Sequence, residues 1–177
     1  ATASGNNFQK WLKDGADFAN NTLVNVSVTM DAAHTMAAVY VTPAPSVKLD
    51  ASSYPAAENV GSKVVTVTRT GDPSGTAMVD YATSDTAGPN NCNVANNVAS
   101  SRCDYLTTIG TLSFAPGETS KTISILIVDD VYAEGPENFT ITLSNATGAT
   151  LGAPATATLT INDNDAAPTF SFAASPG

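Results

Sequence analysis

Six carboxylates are crowded into two short stretches of this chain. Asp129, Asp130, Glu134 and Glu137 fall within nine residues, and Asp163 and Asp165 flank Asn164 at the end of an apolar run. Carboxylates at close and uneven spacing suit Ca2+, which takes six to eight hard oxygen ligands and tolerates irregular geometry, better than Mg2+ or Zn2+. The competing reading of the same residues is an acidic edge that faces water. Catalytic readings are poorer. The single histidine, His34, sits in the turn-like segment Asp31-Ala32-Ala33-His34-Thr35, which suggests a local role and not the base of a hydrolytic triad. Glu134 and Glu137 could serve glycoside hydrolysis only across a cleft flanked by aromatic residues, and the sequence shows no such aromatic set. Neither a phosphate-binding glycine loop nor zinc-ligand spacing occurs. A non-catalytic, cation-binding protein is the expectation, and not an enzyme.

Charge points the same way. With 16 acidic residues against 7 basic ones, the formal net charge of −9 opposes any role that depends on phosphate backbones or anionic lipid. No apolar run approaches the roughly 18 residues of a membrane span, and no basic-then-apolar segment opens the sequence. Neither nucleic-acid binding nor membrane insertion is therefore expected. Charged residues make up 13% of the chain while Thr, Ser, Ala, Val, Gly and Asn dominate, a mix of exported β-proteins. Cys92 and Cys103 bracket a segment without CxxC spacing and without a nearby histidine, so a disulfide is the better reading than a metal site. Closing such a loop contributes roughly 3 kcal/mol in an oxidising compartment. The alternative is a pair of reduced thiols on an exposed loop.

The acidic stretches need elements to position them. Apolar and polar residues alternate in short runs at 24–30, 35–41, 46–49, 63–70, 76–83, 110–114, 120–128, 137–144 and 155–162, separated by turn formers. Seven of these runs follow Pro45, the number of an immunoglobulin-like Greek-key β-sandwich. The run 120–128 delivers Asp129 and Asp130 to one end of such a sandwich, and the run 155–162 delivers Asp163 and Asp165 to an end that could be the same. The two prolines of Val41-Thr42-Pro43-Ala44-Pro45-Ser46 mark a short stiff linker. The expected organisation is a small, incomplete N-terminal β unit over 1–43, a sandwich over 44–165, and a C-terminal linker with the start of a strand over 166–177.

From about Ser46 to Asp165 the chain resembles the Calx-beta domain. The resemblance is carried by Glu58-Asn59-Val60-Gly61, Val79-Asp80-Tyr81-Ala82-Thr83-Ser84-Asp85, Asp104-Tyr105, Gly110-Thr111-Leu112-Ser113-Phe114, Pro116-Gly117-Glu118, Asp129-Asp130 with Glu134-Gly135 and Glu137, Leu143-Ser144-Asn145, and Ile161-Asn162-Asp163-Asn164-Asp165. It implies an all-β, seven-stranded sandwich with Ca2+ at one end, ligated by Glu58, Asp85, Asp129, Asp130, Glu134, Glu137, Asp163 and Asp165, with Asp104 a weaker candidate. Two departures stand out: Asp163-Asn164-Asp165 in place of three consecutive acids, and an enlarged segment between Asp85 and Asp104 that holds both cysteines.

A looser resemblance covers the N-terminal residues. Phe8, Trp11, Val28-Thr29-Met30-Asp31-Ala32-Ala33 and Met36-Ala37-Ala38-Val39-Tyr40 are similar to the end of bacterial extracellular repeats related to the internalin B-type repeat. At the other end, Thr169-Phe170-Ser171-Phe172 alternates like half a strand in need of a partner. Two functional expectations follow. One is a calcium-binding structural or adhesive module of a bacterial surface protein, extracellular and flanked by other domains. The other is a fibre subunit whose C-terminal strand completes the N-terminal unit of the next copy, a head-to-tail contact that does not close.

Overall fold

Alternation in the sequence becomes strands with one buried face. The computed structural model describes residues 6–18, 27–29, 31–86 and 97–171. Among these residues twelve strands form in chain order: β1 (Asn7–Lys13), β2 (Ala16–Asp17), β3 (Met36–Val41), β4 (Ser46–Leu49), β5 (Ser53–Ala57), β6 (Ser62–Thr70), β7 (Ala77–Thr83), β8 (Ile109–Phe114), β9 (Ser120–Leu126), β10 (Glu137–Thr147), β11 (Thr150–Leu151) and β12 (Thr156–Asn162). They make a five-stranded sheet in the order β5-β12-β10-β7-β8, a four-stranded sheet in the order β11-β4-β6-β9, and a separate N-terminal sheet in the order β2-β1-β3. The larger two sheets enclose one core. Val47, Leu49, Val65, Val67, Ile123 and Ile125 come from one sheet, and Val79, Phe139, Ile141, Leu143 and Leu159 from the other.

All seven expected sandwich strands form, and two short ones join them. β5 was hidden by Pro55, which an edge strand tolerates because its missing N–H faces away from the ladder. β11 is only two residues long and adds to β4 in parallel. β10 runs three residues beyond its expected end through a bulge between Ser144 and Thr147, where Asn145 takes a φ of 50°.

The N-terminal unit differs more. β1 was not foreseen, because a register shift between Phe8 and Lys10 breaks its alternation. That bulge brings Phe8 within 5.7 Å of Trp11 and 5.8 Å of Tyr40, ring centre to ring centre. Of the strand expected at 24–30, residues 27–29 are in no strand and the rest lie outside the described residues. His34 has the local role expected of it: Nδ1 lies 2.7 Å from Asp14 and Nε2 lies 2.6 Å from Asp31, tying the β1–β2 turn to the approach to β3. Residues 169–171 form no strand, Phe170 is 88% exposed, and Phe172 lies outside the described residues.

Candidate metal centre

The acidic residues meet at one pole of the sandwich because four chain segments come together there. A 3-10 turn, Glu58–Val60, joins β5 to β6 and places Glu58 in the interior at 4% exposure. The β9–β10 connection carries Asp129, Asp130 and Glu134, and Glu137 opens β10. β12 pairs with the start of β10, Ile161 opposite Glu137, so that Asp163 and Asp165 emerge beside the same connection. Asp104 arrives from the segment before β8, where Val128 N–H donates to its carbonyl at 2.9 Å.

Two groups of carboxylates result, Glu58 with Asp163 and Asp165, and Asp104 with Asp130 and Glu134. Within each, the facing oxygens lie within 4.8 Å of one another. Glu58, Asp104, Glu134, Glu137 and Asp163 line one cleft, so the two groups form a continuous site. Backbone donors fix its geometry. Asp163 accepts from the N–H groups of Glu134 (2.7 Å), Gly135 (2.8 Å) and Asp165 (2.7 Å). Asp130 accepts from Tyr132 N–H at 2.7 Å, and its own N–H donates to Glu58 Oε1 at 3.3 Å.

Charge is concentrated here, and among the described residues none of these carboxylates makes an ion pair. Burial raises the Glu58 carboxyl above its usual range. Burial, reinforced by Asp104, Asp130, Glu58 and Asp163, pushes Glu134 to about 7. Glu137 rises to about 8 through burial and a hydrogen bond with Asp104. Asp104 is itself raised by burial. Burial and the neighbouring Asp163, Asp129 and Asp130 raise Asp165. Asp163 alone is lowered, by the Gly135 and Asp165 N–H groups.

The donor set fits a hard cation. Glu58 Oε2, Glu134 Oε1 and Asp165 Oδ2 are buried and have no hydrogen-bond partner. Orphaned carboxylate oxygens of this kind are costly unless a cation takes them. Six of the eight residues expected from the sequence come to this pole as site residues: Glu58, Asp130, Glu134, Glu137, Asp163 and Asp165. Asp129 is exposed and lies in neither group, though near enough to raise Asp165. Asp85 is also exposed and in neither group. Asp104, ranked lowest from sequence, is 3% exposed and central. Its signal was the adjacent Tyr105, which stacks on Phe139 at 3.7 Å and anchors the segment in the core.

Residues 42–165 match the Calx-beta domain family. The chain belongs to that family. The chain is 35% identical over 149 aligned residues to sodium/calcium exchanger 1 of Bos taurus, covering 73% of this chain and 14% of that protein. Sodium/calcium exchanger 3 of Mus musculus is 36% identical over 151 residues, covering 73% and 15%. The chain thus spans a small part of the curated relatives it matches. Among solved structures, the apo-form Calx CBD1 domain superposes with a TM-score of 0.59 at 31% identity, over 70% of this chain and all of that one. The calcium binding domain CBD12 of CALX1.1 gives 0.57 at 34% identity, over 73% of this chain and 50% of that one. The family match begins at residue 42 and does not include the N-terminal sheet.

Proposed function

We propose that this chain is a calcium-binding structural module of an extracellular, bacterial surface protein, in which Ca2+ stiffens one pole of the sandwich. The observation that carries the reading is the convergence of Glu58 Oε2, Glu134 Oε1 and Asp165 Oδ2, buried and unpartnered, on one carboxylate-lined pole. Glu58, Asp104, Asp130, Glu134, Glu137, Asp163 and Asp165 would hold the ion or ions. Calcium supplies positive charge there and no chemistry of its own. The chain's residues orient the oxygens and exclude water. The exchanger relatives and the CBD12 structure, named as a calcium binding domain, support the same cation. An oxidising location is supported by Cys103, which is buried and is not a free thiol, with Cys92 as its proposed partner outside the described residues. Isothermal titration of the chelator-treated chain tests the reading. Saturable calcium binding that Asp130→Asn abolishes is expected, and absence of heat with an unchanged melting temperature sinks it.

A second reading has its own observation. Phe170 is 88% exposed in an alternating segment, and no residue of the N-terminal sheet is fully buried. The N-terminal sheet would be completed by the C-terminal strand of the next copy. Truncation after Asp165 then abolishes polymers detected by light scattering. Polymers that persist, or a wild-type chain that never forms them, exclude it.

A further inference from the structure

Every open sheet carries edge strands, and an edge is a row of unpaired backbone groups that evolution usually protects. Four edges bound this sandwich: β5 and β8 in one sheet, β11 and β9 in the other. β5 has Pro55 at its centre. β11 is two residues long. β9 carries Lys121, which pairs with Glu118 at 2.8 Å. β8, Ile109-Gly110-Thr111-Leu112-Ser113-Phe114, has six residues with no charge and no proline, and among the described residues only β7 pairs with it.

The register fixes which groups are free. Thr83 N–H donates to Thr108 C=O at 3.0 Å, which makes that pair a hydrogen-bonded one. Alternation along an antiparallel ladder then turns the N–H and C=O of Gly110, Leu112 and Phe114 toward β7, and those of Ile109, Thr111 and Ser113 away from it. The same three residues are exposed, with Ile109 at 75%.

We propose that β8 is a homotypic docking strand that pairs antiparallel with β8 of a second copy about a two-fold axis through Thr111. Centring on Thr111 sets Ile109 opposite Ser113 of the partner copy and aligns every outward N–H with an outward C=O. About six backbone hydrogen bonds form. Self-pairing suits this edge because the net charge of −9 has no representative on it. The nearest acid in the row is Asp80, opposite Thr111 on β7. Its carboxylate is held by Thr111 Oγ1 at 2.5 Å and by Asn145 Nδ2 at 3.0 Å. Three strand spacings, about 14 Å, separate it from its symmetry mate, which exceeds the roughly 8 Å screening length at physiological salt. The result is a ten-stranded sheet across two copies, a closed isologous contact that leaves the calcium pole free.

One strand pair buries little area, so the expected dimer is weak, with a dissociation constant in the micromolar range or above. Sedimentation velocity of the whole chain from about 10 to 500 µM is expected to show reversible dimers. Thr111→Lys places like charges directly opposite and should eliminate the dimer while the melting temperature stays within a few degrees. Register is read by oxidation: Thr111→Cys should form a covalent dimer rapidly, since hydrogen-bonded partners about 5.5 Å apart fit a disulfide. Ser113→Cys, facing Ile109 of the other copy, should cross-link far more slowly. A strictly monomeric chain throughout this range overturns the proposal. So does a dimer indifferent to Thr111→Lys, or equal cross-linking of the two cysteine variants.

Discussion

Asp104 and Glu137 show what the acidic pole costs when no ion is bound. They are 3% and 4% exposed, and burial with the neighbouring Asp104 raises Glu137 to about 8. Glu134, raised to about 7, joins them. In the unfolded chain both glutamates titrate near 4.3. Between that value and their folded values the native state binds more protons than the unfolded one, so each contributes a penalty that grows as pH rises. Metal-free stability is therefore expected to fall by several degrees of melting temperature from pH 5 to pH 8. Asp163, held low, acts oppositely but only below pH 4. Saturating calcium should flatten the slope and release protons near pH 7, which titrations in buffers of different ionisation enthalpy will register. A melting temperature in chelator that is level or rises over this range contradicts the assignment. The Glu58→Gln substitution separates charge from shape. Calcium at a hundredfold excess over its dissociation constant stabilises by about 2.7 kcal/mol, or roughly 10 °C for a domain of this size. Glu58→Gln should lose most of that rise while melting no lower than wild type in chelator, because an uncompensated buried charge has been removed.

At the scale of elements, what could be read in advance was whatever repeats every second residue. The runs that became β4, β6, β7, β8, β9, β10 and β12 alternate cleanly, and so did their turn chemistry. β1 was missed because its bulge puts Phe8 and Trp11 three residues apart, a spacing that belongs to no regular strand. β5 was missed because Pro55 reads as a breaker until an edge position is known. The same limit governed the site. Asp129, Asp130, Asp163 and Asp165 announced themselves by clustering in sequence, and the family resemblance supplied Glu58 from 71 positions away from Asp129. Asp85 was ranked above Asp104, the reverse of what the structure places at the pole, because only the stacking of Tyr105 on Phe139 shows which end of the 84–108 connection is drawn in. Turns at the opposite pole are as tightly specified. Gly71, at φ 82°, lies against the linker, where a Cβ would meet Ala44 O and come within 2.8 Å of Pro43 O, while Asp72 N–H donates to Pro43 O at 2.9 Å. Gly71→Ala is expected to destabilise the fold by about 1–3 kcal/mol through backbone strain and the clash. Chemical denaturation with an unchanged m-value would measure it, and a loss under 0.5 kcal/mol would show that the linker yields instead.

Across the whole molecule, the linker docks at the pole opposite the carboxylates. Pro43 and Pro45 accept from Asp72 and Thr150 N–H groups, beyond the far end of β6 from Glu58, whereas Asp163 and Asp165 leave the sandwich at the acidic pole. A force along the chain would therefore run through the site, and under the proposed function calcium bound there would resist fraying of β12. The N-terminal sheet stands outside this core: its strands contain no fully buried side chain, and the contacts that hold it include the Phe8, Trp11 and Tyr40 cluster, the His34 bonds and the Lys10–Asp17 ion pair. Low burial means low local stability. Hydrogen exchange should accordingly show β1 and β3 exchanging at least a hundredfold faster than β6 and β10, a gap of about 2.7 kcal/mol in opening free energy. Calcium should slow exchange at Glu134 to Glu137 and at Asn162 to Asp165 and leave β1 and β3 unchanged. Protection of β1 equal to that of β6, or a calcium response in β3, would mean that the two units open together, and that the carboxylate pole is felt across the full length of the sandwich.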